Sequence, residues 1–159
     1  MSLSPFSLLT LLTALGAGVI GGVFFAFSSF VMTALARLSP AQGIKAMQSI
    51  NIAVINPVFL GVFIGTAGAS AVLAVAGLVA WSEQDALWLL AGAFLYLLGT
   101  FGATMAFNVP RNDALAGLDP GDAEAPTAWT RYVREWTVRN HVRTVAALAA
   151  AACFTGAMP

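Results

Sequence analysis

Four stretches of this chain, 6–35, 53–81, 86–107 and 138–157, are too long and too apolar to lie on the surface of a soluble domain. At 1.5 Å of rise per residue, a helix of about 20 residues spans a hydrocarbon core some 30 Å thick. In lipid every backbone N–H and C=O needs a partner, so only helices or a closed barrel cross it, and no barrel pattern is present. With 59% hydrophobic and 9% charged residues, against roughly 25% charged in a soluble domain, the chain has no polar coat for so much apolar surface. The sequence therefore predicts an all-α fold, residues 1–159 forming a single integral membrane domain built as a four-transmembrane-helix bundle. The first run lacks the basic flank and the short length of a signal peptide, and reads as a retained span. Gly16, Gly18, Gly21 and Gly22 in it, and Gly61, Gly65 and Gly68 in the second, have the small-residue spacing of close helix contact, within one bundle or in a homo-oligomer.

The connections set an orientation. Links at 36–52 and 108–137 lie on one face of such a bundle, and the link at 82–85 lies with both termini on the other. All seven basic residues, Arg37, Lys45, Arg111, Arg131, Arg134, Arg139 and Arg143, fall on the first face. The positive-inside rule then places loops 36–52 and 108–137 in the cytoplasm and both termini outside the inner membrane. A formal net charge of zero argues against a nucleic-acid partner, which calls for a basic excess. Within 108–137 the turn formers Gly117, Pro120, Gly121 and Pro126 precede "APTAWTRYVREW", where Trp129, Tyr132, Val133 and Trp136 follow the i, i+3, i+4, i+7 pattern. This is an amphipathic helix before the last span, lying on the membrane surface or extending the span itself.

The same topology collects polar side chains at one depth. Asn51 and Asn56 stand where the second span begins, Asn108 where the third ends, and Asn140, His141 and Arg143 where the fourth begins. Polar groups inside a membrane helix are costly and point to function. At 100° per residue, Arg139, Arg143, Trp136, Asn140 and Thr144 share an arc of about 140°, and His141 stands about 60° beyond Thr144. Each residue also has a plainer role: snorkelling to headgroups for the two arginines, the interfacial aromatic belt for Trp136, helix capping for Asn56 and Asn108, a structural hydrogen bond for His141. One histidine, one cysteine and loop-bound acids do not make a zinc or bis-histidine haem site within one chain, so no metal and no cofactor is expected.

Three blocks, "MQSIN...NP.F" at 47–59, "FNVPRNDAL" at 107–115 and "W..YVREWTVRNHVRTVAALAAAA" at 129–151, resemble those of the anthrone-oxygenase-like family of small four-helix membrane proteins. The resemblance extends over almost the whole chain, and Arg139 stands where members often carry an aromatic residue. It implies a membrane-embedded oxygenase or oxidoreductase that needs no organic cofactor or metal and takes a lipophilic aromatic, anthrone-like substrate from the bilayer. Such a reaction removes a proton from an acidic methylene, stabilises the enolate and admits molecular oxygen. Residue chemistry then assigns catalytic roles to His141 as base, Arg143 as oxyanion partner and Asn108 as orienting amide. Asn51, Asn56, Trp136, Arg139 and Asn140 become the substrate-binding residues. The alternative is a non-catalytic small-molecule binder or carrier, or a helper subunit, with a polar cytoplasmic mouth.

Overall fold

The computed structural model describes residues 4–79 and 85–158, and Ser82, Glu83 and Gln84 of the expected short link lie outside them. The described chain forms five helices, α1 (Pro5–Ala36), α2 (Pro40–Ala53), α3 (Pro57–Val79), α4 (Ala86–Ala116) and α5 (Ala125–Gly156), and no strand occurs among the described residues. The all-α expectation holds. Of the four expected spans, three have helices long and apolar enough to cross a membrane among the described residues, α1, α3 and α4. α5 has 32 residues, but Arg131, Arg134, Glu135, Arg139 and Arg143 fall in its first two thirds, and this polarity is what separates it from the other three.

Two further differences have local causes. The segment expected as the 36–52 link folds into α2. Ser39 caps it, with the Gln42 side-chain oxygen accepting from the Ser39 amide at 3.3 Å and from its hydroxyl at 2.8 Å, and Pro40 occupies the first turn, where its missing N–H costs nothing. α4 runs past the expected end at Phe107 to Ala116. Pro110 is tolerated because the ladder is already displaced there: Thr104–Asn108 forms a wide turn, in which the Val109 N–H reaches back to the Thr104 carbonyl. Similar wide turns occupy Phe27–Val31 of α1 and Leu95–Gly102 of α4. The stretch expected before the fourth apolar run is helically continuous with it, since α5 runs without a break from Ala125.

At 1.5 Å per residue the 32 residues of α1 and of α5 reach about 48 Å, well beyond the thickness of a hydrocarbon core. The interior accordingly has two storeys. One is lined by Ile20, Phe24, Phe63, Tyr96 and Phe154; the other by Met32, Ile44, Met47, Leu115, Trp129, Tyr132 and Trp136, with α2 laid against it. Trp129, Tyr132 and Trp136 form a ladder along α5, with ring centroids 5.7 and 6.5 Å apart. Gly43 lets α2 meet this ladder: a Cβ there would stand 2.6 Å from the Trp129 indole.

Of the glycines expected to mediate close contact, Gly16 and Gly21 abut Thr66 and Leu148, whereas Gly18, Gly22, Gly61, Gly65 and Gly68 meet open space. Gly92 meets an aromatic ring deep in the bundle, where a Cβ would lie 2.8 Å from the fully buried Phe154 ring. Gly92→Val is therefore expected to destabilise the protein by about 1–3 kcal/mol through overpacking. Gly65→Ala should leave thermal unfolding in detergent unchanged or slightly raised, because it adds only helix propensity at an open position.

Candidate functional site

Where the two storeys meet, α1, α4 and α5 hold a guanidinium that forms no ion pair among the described residues. Arg143 is 4% exposed. Its Nη2 donates to Asn140 Oδ1 at 2.6 Å and its Nη1 to Thr104 Oγ1 at 3.2 Å. Asn108, turned so that its amide oxygen serves both donors, accepts from Arg143 Nη2 at 3.2 Å and from Trp136 Nε1 at 3.3 Å. The Phe24 ring covers the guanidinium at 4.1 Å and the Trp136 ring at 5.1 Å. Both rings thus turn a face to the cation. A guanidinium has five N–H donors; three are taken by these contacts, leaving two for a ligand.

The acceptors are themselves held. Asn140 Nδ2 donates to the Phe24 carbonyl at 2.7 Å and to Ser28 Oγ at 2.8 Å, and Ser28 Oγ lies 3.0 Å from Thr144 Oγ1. Thr104 passes its hydroxyl proton to the Thr100 carbonyl at 2.7 Å, so its oxygen is free to accept from Arg143. The wide turns lie in this region: Ser28 falls within the one in α1, Thr104 and Asn108 within one in α4. An inserted residue rotates all that follows it, and such turns recur at functional sites.

Beside Arg143 opens a cavity of about 550 Å³, a size suited to a small organic ligand. Phe24, Phe27, Phe59, Phe63 and Trp136 make much of its wall apolar and aromatic, and Gln48, Asn51, Thr104, Asn112, Asp113 and Arg143 supply its polar groups. Asn112 is fixed: its Oδ1 accepts from Tyr132 Oη and from Trp136 Nε1, each at 2.9 Å. Asn51 lies beside the same phenol and has a buried Nδ2 without a partner among the described residues. Burial raises the Tyr132 phenol above its ordinary pKa, partly offset by Asn51 and by the positive field of Arg143, so the phenol stays protonated.

The structure thus brings together Asn51, Asn108, Trp136, Asn140 and Arg143. It does not bring in three others. His141 is exposed on the far side of α5 from Arg143 and is absent from the cavity wall, because two positions along a helix turn the chain by about 200°. Arg139 is exposed as well, stacked 4.6 Å over the Phe107 ring. Asn56 caps α3, its Oδ1 accepting from the amides of Val58 and Phe59 at 3.1 and 3.0 Å. Gln48, Thr104, Asn112 and Asp113 were not among the expected residues. Asn112 had a signal, standing one helical turn after Asn108, had the helix not been ended at Pro110.

A model of the anthrone oxygenase family matches residues 58–153. That is more than half of the chain, and the chain belongs to this family. The match takes in α3, α4 and most of α5, with Asn108, Asn140 and Arg143, while Asn51 lies before it. Comparison with curated proteins and with solved structures returned no match.

Asn140→Ala should lower stability by about 1–3 kcal/mol, because it strands a buried donor of Arg143 and the Phe24 carbonyl together. His141→Ala, at an exposed position, should stay within about 0.5 kcal/mol of the wild type. Thermal unfolding in one detergent checks both.

Proposed function

We propose that this member of the anthrone oxygenase family is a membrane-embedded oxygenase that converts the acidic methylene of a lipophilic aromatic substrate to a carbonyl. The observation that carries the reading is the unneutralised guanidinium of Arg143 at the wall of an aromatic cavity, with two N–H donors unclaimed. Loss of a methylene proton sends an electron pair towards the ring carbonyl, which becomes an enolate oxygen. A preorganised cation at that oxygen favours the charged state over the neutral ketone, which is how such a site lowers a barrier. Molecular oxygen then forms a C–O bond at the electron-rich carbon. The resulting peroxide is protonated, its O–O bond breaks as the second C–H proton leaves, and the products are a carbonyl and water.

Phe24 and Trp136 support the assignment in a second way, since rings flanking the guanidinium also flank a planar ligand that meets its edge. Ile52, Ile55 and Met105 line the cavity yet are exposed, and this apolar rim suits a substrate dissolved in the bilayer. A non-catalytic binder of lipophilic anions is the competing reading, favoured by the exposure of His141.

The test is oxidation of anthrone by purified protein under oxygen, followed by quinone absorbance. Turnover supports the oxygenase; tight binding without turnover supports the binder. Arg143→Lys should reduce turnover by about 10²–10³, the usual loss on removing one oxyanion donor, because an ammonium cannot hold Asn108, Asn140 and Thr104 and present two further donors.

In the membrane we place α1, α3, α4 and α5 as four spans, with α2 and the 117–124 connection in the cytoplasm. Lys45 on α2 and the arginines near the cytoplasmic ends of α1, α4 and α5 favour that orientation. An alkaline phosphatase fusion after the carboxyl terminus should be active, and one within 117–124 should be inactive. The opposite pattern would invert the topology.

A further inference from the structure

Resting on the oxygenase reading, we propose that Asp113 is the base that takes the methylene proton. Proton transfer needs a group within hydrogen-bond reach of the reacting carbon. His141 does not qualify, being exposed on the far side of α5 and outside the cavity wall. Among the described residues Asp113 is the one carboxylate in that wall, and no basic residue forms an ion pair with it. The other polar groups there are poor proton acceptors. Gln48, Asn51 and Asn112 are amides, Thr104 carries a hydroxyl, and Arg143 is a cation. Tyr132, just behind Asn112, is a protonated phenol already donating to the Asn112 oxygen.

Position separates the two charges usefully. Arg143 is held at the level of Thr104 and Asn108, and Asp113 follows Asn108 by five residues, about 7.5 Å further along α4. A ring system between them presents its carbonyl oxygen to one and its methylene to the other. Asp113 is also exposed, so a proton it takes can pass to water while the enolate stays beside Arg143.

In the step itself the C–H bond breaks, its proton bonds to a carboxylate oxygen of Asp113, and its electron pair moves through the ring to the carbonyl oxygen facing Arg143. Water then removes the proton from Asp113. The carbanion carbon remains to be oxidised by molecular oxygen, which leaves as the new carbonyl oxygen and as water.

The experiment compares wild type, Asp113→Asn, Asp113→Glu and His141→Ala with anthrone under oxygen. Turnover is read from quinone absorbance, and anthrone binding from quenching of tryptophan fluorescence, Trp136 being in the cavity wall. Asp113→Asn is expected to lower kcat by about 10²–10⁴, with KM and binding retained. Asp113→Glu should recover part of the loss, His141→Ala should match the wild type, and methylene deuteration should slow the wild type. Turnover by Asp113→Asn comparable to that of an active wild type overturns the assignment and leaves the oxygenase standing. So does loss of anthrone binding in Asp113→Asn, which would make the residue a binding group. A wild type that binds anthrone without oxidising it overturns the oxygenase and the base together.

Discussion

A positive charge taken out of water without a counter-ion is among the costliest things a protein can carry, and this fold is arranged around one. The Arg143 guanidinium is buried, and among the described residues no carboxylate forms an ion pair with it. Its desolvation is offset by oriented dipoles: the amide oxygens of Asn108 and Asn140, the hydroxyl of Thr104, and the π faces of Phe24 and Trp136. Those groups come from α1, α4 and α5, so the three helices must hold one register for the charge to be tolerated. Breaking such an arrangement from one side is expensive because the charge stays behind. The Asn140 contacts to Phe24 and Ser28 therefore tie α5 to α1 as well as orienting the amide.

Depth explains why the cluster sits at the join of the two storeys. α1 and α5 outrun a hydrocarbon core, and α2 lies against the projecting part through Met47, Ile44 and the Trp129 ladder. The cavity wall thus has an exposed apolar rim at Ile55 and Met105 and an exposed carboxylate at Asp113. The reaction proposed above, with a substrate that dissolves in lipid and a proton that leaves through water, needs both at once.

Much of this was legible in the sequence. Hydropathy located four apolar runs, and three of them coincide with helices long and apolar enough to cross a membrane, because such a helix reports itself through composition alone. The Asn and Arg residues at the helix ends were found because polar groups in apolar runs are rare, and the helical arc placed Arg143, Trp136, Asn140 and Thr144 together, all of which are buried. That same arc set His141 about 160° from Arg143; its chemistry drew attention that its angle did not justify. Other features depend on tertiary structure. Wide turns in α1 and α4 leave no simple residue pattern, yet they decide where Ser28, Thr104 and Asn108 point. Asp113 looks like an ordinary loop acid until Pro110 is seen to be carried within α4.

The choice of amides over carboxylates around Arg143 bears on what the site is for. An aspartate at 108 or 140 would satisfy the same guanidinium donors with charge-assisted bonds, which are stronger, and would cancel the buried charge. A protein selected for stability alone gains from that exchange. What it loses is the positive potential in the cavity, because a neutralised guanidinium has little left for an incoming oxyanion. Asparagine supplies geometry without charge, holding the planar fork in place while leaving its field uncancelled. On the oxygenase reading proposed above, function is kept at a cost in stability, as is common for preorganised electrostatic sites. On that reading the cost is bounded by the aromatic faces and by the two donors that an anionic ligand completes, so that binding the ligand also repairs the deficit in the folded state.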